Sequence, residues 1–286
     1  MSARVGFGDR LAAAMESRGP LCVGIDPHPG LLSAWDLPDT PESLEAFALT
    51  VLEACGPVSA ALKPQVALFE RHGSAGLAVL EKLHRVAADA DVLIIADAKR
   101  GDIGSTMAAY SDAWLGERSP LATDSVTLSP YLGFESLRPA LDQAAQTSRG
   151  VFVLALTSNP EGKTVQHIGG EHSVAKGIVD AAYQENAQGH WSVMGPCGLV
   201  VGATVGPALQ ELGIDLASFN GPILAPGYGA QGASALDLYK VFTGVKQQVL
   251  VNSSRGVLVS GPDAISLRNA AERSRDELIK ALLKAE

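Results

Sequence analysis

Aromatic side chains, cysteine and positive charge are all scarce in this sequence of 286 residues. Aromatic residues make up 5% of the chain and the formal net charge is −9, so the surface offers little for nucleic acid or anionic lipid to bind. The three cysteines, Cys22, Cys55 and Cys197, include no CxxC pair and predict neither a disulfide framework nor a zinc site. Cys22 and Cys197 lie in apolar runs and are typical of small core residues. We expect no nucleic-acid partner and no bound metal.

Long apolar runs are also missing. No run approaches the length of a membrane span, and residues 1–19 lack the apolar block of a signal peptide. Residues 7–18 instead predict an amphipathic helix. We therefore expect a cytoplasmic protein without a membrane partner.

The chain is rich in short apolar, β-branched runs that alternate with helical patterns. Strands are predicted at 21–26, 59–63, 92–99, 124–129, 151–156, 198–204, 222–226 and 248–254. Helices are predicted at 40–55, 65–87, 105–116, 134–145, 173–188, 205–212, 231–243 and 262–284. Eight such units in this length predict an α/β fold, a (β/α)₈ barrel with an N-terminal helical extension. An open doubly wound sheet has the same alternation and is the alternative.

No linker or low-complexity segment divides the chain. We therefore expect one domain over residues 1–286, with the barrel strands within 21–254.

Polar side chains stand where predicted strands end, and that is the ligand-binding edge of both candidate folds. Turns and helix caps need similar residues, so any single position has a plain structural alternative. The set consists of Asp26, Lys63, Asp97, Lys99, Thr157, Ser158 and Arg255.

Asp97 and Lys99 are two residues apart on one predicted strand, so both side chains should share its inward face. Lys63 from the neighbouring strand is expected within reach of them. Alternating charges of this kind keep each group ionised. A fixed carboxylate repels a substrate carboxylate and an ammonium stabilises a carbanion, so the pattern favours decarboxylation without a cofactor. A structural ion pair is the alternative.

The segment "GYGAQG" (227–232) matches the glycine pattern of dinucleotide-binding loops. Two features depart from that pattern. The segment follows the seventh strand rather than the first, and Asn252 occupies the position at which dinucleotide-binding proteins have an acidic residue that binds the ribose hydroxyls. In a barrel, this loop and the next one usually cradle phosphate. Backbone N–H groups near Gly229, the Gln231 amide and the Arg255 guanidinium then predict a phosphate site. Two tight turns with a solvated arginine are the alternative.

The segment "DAKRGDIGST" (97–106) resembles the D-x-K-x-x-D-I signature of the orotidine 5′-phosphate decarboxylase family, especially its longer form in mycobacteria and their relatives. Six further segments resemble the strand ends of that family in the same order: "LCVGIDP", "LKPQ", "SPYLG", "TSNP", "APGYGAQG" and "VNSSRG". The resemblance covers residues from about 20 to about 256.

The resemblance implies a homodimeric barrel that converts orotidine 5′-phosphate to uridine 5′-phosphate and CO₂ without metal or cofactor. By the same resemblance, Asp97 faces the substrate carboxylate and Lys99 protonates C6 of the pyrimidine. Asp26 and Lys63 contact the ribose, and Lys63 also joins the charged row.

The remaining site residues follow from the resemblance in the same way. Asp102 reaches across the dimer interface into the partner's site, and Ile103 and Thr106 come after it in the chain. Ser158 contacts the pyrimidine, while Gln231 and Arg255 grip the phosphate. The segment 159–172 and His28 have no counterpart that assigns them a role.

Three other functions remain open at this stage. A related barrel enzyme for phosphorylated keto-sugars shares the D-x-K-x-x-D signature, but it uses Mg²⁺ and typically an acid where this chain has Lys63. A class I aldolase would form a Schiff base at Lys63 or Lys99. A non-catalytic nucleotide sensor could be built on the same scaffold.

Overall fold

The computed structural model describes residues 5–229 and 232–282, and its centre is a closed barrel of eight parallel strands. The strands pair in the order β2-β1-β8-β7-β6-β5-β4-β3, and bridges from Leu62 to Ile94 and from Gln65 to Asp97 join β2 to β3. This closure confirms the barrel and excludes the open sheet. The strands are β1 (Leu21–Ile25), β2 (Ala61–Pro64), β3 (Ile95–Arg100), β4 (Ser125–Leu128), β5 (Gly150–Leu156), β6 (Cys197–Val201), β7 (Ile223–Ala225) and β8 (Val249–Ser253).

One helix precedes the first strand, and the others follow the strands. They are α1 (Phe7–Arg18), α2 (Pro29–Ala34), α3 (Pro41–Cys55), α4 (Val66–Glu70), α5 (Gly73–Asp89), α6 (Gly104–Leu115), α7 (Arg138–Gln146), α8 (Lys163–Gln166), α9 (Val174–Ala187), α10 (Gly206–Glu211), α11 (Ala235–Val241), α12 (Arg255–Leu258) and α13 (Ala264–Leu282). None of these helices is both long and apolar enough to span a bilayer.

Local sequence explains where several helices begin and end. Thr40 caps α3 by accepting a hydrogen bond from the Ser43 N–H, and Pro41 occupies the first helical position. The prediction of a single helix over 65–87 is wrong. The segment is split into α4 and α5 because the chain turns at Gly73, whose φ of 61° lies in the left-handed region.

The interior of the barrel is closed at its amino-terminal end by α1. Phe7 is fully buried, and its ring meets that of Phe152 on β5 edge-on, with centroids 6.0 Å apart. Leu11 and Met15, one and two turns further along, pack into the same cluster of inward-facing strand residues. The N-terminal extension is therefore an apolar plug for the barrel.

Polar contacts fix the plug in place. The Asp9 carboxylate accepts hydrogen bonds from the backbone N–H groups of residues 192–194, just before β6. Burial raises the pKa of Asp9, but these backbone donors outweigh it and the net pKa is lowered. Arg10 pairs with Asp124 at 2.6 Å, and the other oxygen of Asp124 accepts from the N–H of Ile94 at 3.0 Å. The plug is thus tied to the segments that lead into β6 and β4, and through Asp124 to the residue before β3.

The three cysteines are free and buried, which confirms the core interpretation of Cys22 and Cys197. Desolvation raises the pKa of the Cys22 thiol to about 12, and that of Cys55 to about 12 as well. Such thiols stay protonated and behave as small apolar groups.

Candidate active site

A cavity of about 1150 Å³ opens at the carboxyl ends of the strands, at the opposite end of the barrel from the plug. Its walls come from loops that follow most of the eight strands. Of the residues predicted from the sequence, it is lined by Asp26, Lys63, Asp97, Lys99, Thr157, Ser158 and Arg255. Barrel closure therefore brings together side chains that are up to 229 positions apart in the chain.

Asp97 is the centre of a dense ionic network. Its Oδ2 accepts from Lys63 Nζ at 2.7 Å and from Gln65 Nε2 at 3.2 Å. Its Oδ1 lies 2.5 Å from Lys99 Nζ and accepts from Thr127 Oγ1 at 3.0 Å. Four donors thus hold one buried carboxylate in a fixed orientation.

The network keeps Asp97 and Lys63 charged. Burial alone raises the pKa of Asp97, yet the ammonium groups of Lys63 and Lys99 outweigh it and hold the pKa well below its usual range. Burial alone lowers the pKa of Lys63, and the carboxylates of Asp97 and Asp26 reverse this to a raised pKa. Lys63 and Asp97 are therefore fixed charges, and the Lys99 side chain adjoins them.

The two lysines have different exposures. The Lys63 side chain is 5% exposed and that of Lys99 is 46% exposed, so Lys99 presents its ammonium to the cavity. The expected two-residue alternation is broken, because the β3–β4 register shifts between Ala96 and Arg100 and Lys99 has a φ of 49°. Such a left-handed residue costs about 1 kcal/mol or more, and the Lys99 N–H is held by Thr127 Oγ1 at 2.9 Å. Alternation along the strand therefore predicts that the side chains of Asp97 and Lys99 meet. It does not predict the irregular backbone through which they do so.

Unsatisfied acceptors mark another wall of the cavity. Asp26 Oδ1 and Asn252 Oδ1 are buried without a hydrogen-bond partner in the described part of the chain. The Asn252 amide donates to Ser254 Oγ at 3.2 Å. A Cβ at Gly24 would lie 1.9 Å from Ser254 Oγ and 3.2 Å from Asp26 Oδ1, so glycine is required there. These acceptors are suited to hydroxyl donors from a ligand.

Three further side chains belong to the site but were not predicted from the sequence: Gln65, Thr127 and Asn252. Each points inward from a strand or its end and lines the cavity. Gln65 lies in the "LKPQ" segment, where an even spacing from Lys63 on an extended strand was an available signal. For Thr127 and Asn252 the only available signal was a polar residue inside an otherwise apolar strand.

The predicted phosphate wall is described in part. Arg255 is exposed at the start of α12 and lines the cavity together with Gly227 and Tyr228. Gly229 is exposed next to them, with a φ of 72° that favours glycine. Gln231 lies outside the described residues. The described groups offer a guanidinium and accessible backbone, which are suited to an anion.

Asp102, Ile103 and Thr106 are not among the residues that line the cavity of their own chain. Asp102 Oδ1 accepts from the N–H of Ile103 at 2.8 Å, ahead of α6. Ile103 is 61% exposed, and Tyr131 on the adjoining loop after β4 is 78% exposed. A carboxylate therefore stands next to an exposed apolar side chain between β3 and α6.

The described residues contain no group of three or more metal-ligating side chains. The cavity instead offers fixed ammonium groups, one fixed carboxylate, free acceptors and a guanidinium. This arrangement can bind a polyhydroxylated anion and can stabilise negative charge on a ligand carbon.

A closed parallel barrel with an ionic network and a cavity at the carboxyl ends of its strands defines the class of (β/α)₈-barrel enzymes. A family model described as "Orotidine 5′-phosphate decarboxylase / HUMPS family" matches residues 19–270. The chain belongs to this family.

Individual relatives agree with the family match. The chain is 55% identical over 269 residues to an orotidine 5′-phosphate decarboxylase of Salinispora arenicola, covering 93% of this chain and 95% of that protein. It is 51% identical over 279 residues to one of Streptomyces coelicolor, covering 96% and 98%. A crystal structure from Streptomyces avermitilis, provisionally assigned to the same enzyme, superposes with a TM-score of 0.92 at 52% identity and covers 98% of this chain and 97% of that one.

Proposed function

We propose that this chain decarboxylates orotidine 5′-phosphate to uridine 5′-phosphate and CO₂, with Lys99 as proton donor and without a cofactor. The family match and identities above 50% to named decarboxylases support the broader assignment as a carboxy-lyase of pyrimidine biosynthesis. The single observation that carries the mechanism is the row Lys63–Asp97–Lys99, with the outer ammonium facing the cavity.

The chemistry follows from the charges of this row. The substrate carboxylate on C6 is placed against Asp97, whose lowered pKa keeps it negative, and the two like charges repel. The C6–carboxylate bond breaks, CO₂ leaves, and the electron pair stays on C6. The Lys99 ammonium stabilises this carbanion and transfers a proton to it, and solvent then restores the proton on Lys99.

A magnesium-dependent reaction is a poorer fit to the same residues. A metal at this edge needs carboxylate oxygens, but Lys63 and Lys99 already occupy both oxygens of Asp97. The position at the end of β2, where the keto-sugar enzymes use an acid, holds the buried Lys63. An ammonium there repels a divalent cation. Electrostatic stabilisation by Lys99 replaces the role that a metal would have.

The rest of the cavity binds the nucleotide. Asp26 and Lys63 hold the ribose hydroxyls, Ser158 contacts the pyrimidine, and Arg255 grips the phosphate with Gln231 and the backbone around Gly229. The partnerless Asp26 Oδ1 supports the ribose contact, because a hydroxyl would satisfy it. Binding energy from the ribose and phosphate then holds the substrate carboxylate against Asp97.

The active enzyme is proposed to be a homodimer in which Asp102 of the partner subunit completes each site. Asp102 does not line its own cavity, and exposed Ile103 beside it is suited to burial in an interface. Thr106, also exposed on the first turn of α6, would accompany them. A cytoplasmic location is part of this proposal, and the three free cysteines support it.

Incubation of the purified protein with orotidine 5′-phosphate tests the proposed function directly. We expect loss of the orotate absorbance band and appearance of uridine 5′-phosphate, unchanged in excess chelator. Binding of the nucleotide without turnover would indicate a sensor. Loss of turnover with chelator, or covalent trapping of a carbonyl substrate by borohydride, would favour the keto-sugar enzyme or the aldolase.

Mixing two inactive variants tests the shared site. Half of the dimers formed at random from Lys99→Ala and Asp102→Ala chains are mixed, and each mixed dimer has one site with both residues intact. The mixture should therefore recover about a quarter of wild-type activity. If Asp102 serves its own chain, no mixed dimer has an intact site and activity stays at the level of the single variants.

A further inference from the structure

The segment 159–172, to which the family resemblance assigns no role, folds back onto the end of β5. After a short turn at Pro160–Gly162, the single-turn helix α8 returns the chain toward the strand. Gly162, Val165 and Gln166 from this segment line the cavity. The segment is therefore a wall of the site rather than a remote loop.

Gln166 joins this wall to β5 through two hydrogen bonds to one residue. Its Oε1 accepts from the backbone N–H of Thr157 at 2.9 Å, and its Nε2 donates to Thr157 Oγ1 at 2.8 Å. Thr157 is the first residue after β5 and directly precedes Ser158. A two-point contact of this kind fixes both the backbone and the side chain of Thr157.

The polar chain continues along the loop. Thr157 Oγ1 donates to Asn159 Oδ1 at 2.6 Å, and Asn159 Nδ2 donates to Glu161 Oε2 at 3.1 Å. A Cβ at Gly162 would lie 2.9 Å from Thr157 Oγ1 and 3.2 Å from Gln166 Nε2. The glycine therefore leaves the room that the Gln166–Thr157 contact needs.

On its other side, Ser158 lies close to Gly202, the residue that follows β6. The N–H of Gly202 donates to the carbonyl of Leu156 at 2.9 Å, which holds the two strand ends together. A Cβ at Gly202 would lie 3.1 Å from Ser158 N and 3.2 Å from Ser158 Cβ, closer than nearly all real Cβ contacts. Ser158 thus lies between Gly202 and the Gln166-bound Thr157.

We propose that Gln166 is a positioning residue for the reaction: by clamping Thr157 it sets the Ser158 hydroxyl against the substrate base. This inference rests on the proposed function, which gives Ser158 its contact with the pyrimidine. Gln166 acts through Ser158 and not through the phosphate wall, since Arg255 follows β8 on a different part of the cavity rim.

Steady-state kinetics on orotidine 5′-phosphate test the role. Gln166→Leu removes both hydrogen bonds at similar volume and should lower kcat/KM about tenfold. Gln166→Glu keeps the acceptor for the Thr157 N–H but loses the donor to Thr157 Oγ1, so its kcat/KM should lie between those of Gln166→Leu and wild type. Thr164→Ala, which loses a hydrogen bond to the Glu161 carbonyl in the same turn, is the matched control and should change kcat/KM less than twofold.

A double-mutant cycle separates positioning from general loosening. In the Ser158→Ala background, Gln166→Leu should have almost no further effect, because the group it orients is gone. Inhibition by inorganic phosphate should have the same Ki in Gln166→Leu as in wild type. Additive losses, a weakened phosphate Ki, or an unchanged kcat/KM in Gln166→Leu would each overturn the role. Absence of wild-type turnover would overturn the proposed function instead.

Discussion

The two ends of the barrel are built from the same eight strands but have opposite chemistry. At the amino-terminal end, Phe7 and its neighbours on α1 fill the interior, and Asp9 and Arg10 of the same helix are paired. At the carboxyl end, Asp26 and Asn252 keep buried acceptors without partners in the described residues, and Lys99 adopts a left-handed backbone. One end is filled by apolar side chains, whereas the other is an open cavity lined by ionic groups and by acceptors ready for a ligand.

This difference locates stability and function in separate layers. Inward-facing strand residues change within two or three positions from apolar, such as Ile95, to ionic, such as Asp97. The apolar layer contributes burial energy. The ionic layer lowers the stability, because its charged groups lose solvation and the Lys99 backbone is strained. The packing of the surrounding barrel holds these groups in place despite that cost. Substitutions at the two ends should therefore affect different measurements.

The largest expected effect is on turnover at the carboxyl end. Lys99→Ala should lower kcat by about 10⁴-fold or more, because it removes both the proton donor and the charge beside C6. Affinity for uridine 5′-phosphate, measured by calorimetry, should change only a few-fold. Lys163→Ala, an exposed lysine on α8, is the control and should keep wild-type kcat. Near-normal turnover in Lys99→Ala would remove this residue from the chemistry.

The matching change at the opposite end should affect stability alone. Phe7→Ala empties a fully buried site against Phe152 and should lower the free energy of unfolding by about 3–5 kcal/mol, measured by urea denaturation. Its kcat below the unfolding transition should equal that of wild type. Val5→Ala, at a position that is 58% exposed, should cost less than about 0.5 kcal/mol. A large loss of kcat in folded Phe7→Ala would contradict the separation of the two ends.

A smaller effect is expected at the rim of the carboxyl end. Arg255→Ala should raise KM for orotidine 5′-phosphate about 100-fold, the loss of a charge-assisted phosphate contact, with a smaller change in kcat. Initial-rate kinetics at saturating and limiting substrate measure both parameters. Arg273→Ala, exposed on α13, provides a control of equal charge change. An unaltered KM would show that the phosphate lies elsewhere.

A more gradual effect, spread over a range of pH, concerns the titration of a histidine on the outer helices. His84 on α5 is buried with Nδ1 3.1 Å from the Leu121 carbonyl oxygen, and burial lowers its pKa from 6.5 to about 4. Between these pH values the unfolded chain binds a proton that the folded chain does not. Stability therefore falls as pH decreases from 6.5 to 4, by up to about 1.4 kcal/mol per pH unit, and this contribution is fully present above pH 6.5.

Urea denaturation of His84→Gln across this range checks the assignment. The variant should show a shallower decline than wild type, while His190→Gln, at an exposed position, should follow wild type. The contribution of His84 should be read between pH 6.5 and about 5, because below that the unfolded Asp97 carboxyl begins to bind a proton that the folded one does not and adds its own decline. Lys63 adds no slope, since it is protonated in both states. An equal decline in wild type and His84→Gln would assign the slope to other groups.

Periodicity predicted the elements because each depends on near neighbours in the chain. All eight predicted strands overlap observed ones, and the helix predicted over 7–18 has the same bounds as α1. Short segments were harder. Helix α2 after Pro29 and the break at Gly73 depend on single residues, which a pattern averaged over several turns does not resolve.

The site was predicted in part for a similar reason. Charged strand ends are visible in the sequence, so Asp26, Lys63, Asp97 and Lys99 could be selected and are found around one cavity. Gln65, Thr127 and Asn252 are common residue types whose importance depends on what stands across the barrel. The register shift at Lys99 arises from pairing with β4, and single-strand alternation cannot predict it.

By itself the sequence determined the order of strands and helices, the charged strand ends and the apolar N-terminal helix, because these follow from side-chain chemistry and local periodicity. Only the tertiary structure decided that α1 plugs one end, that four donors converge on Asp97, and that Gln166 returns to clamp Thr157. These contacts join residues distant along the chain or across a turn. Their geometry is therefore set by how the barrel closes.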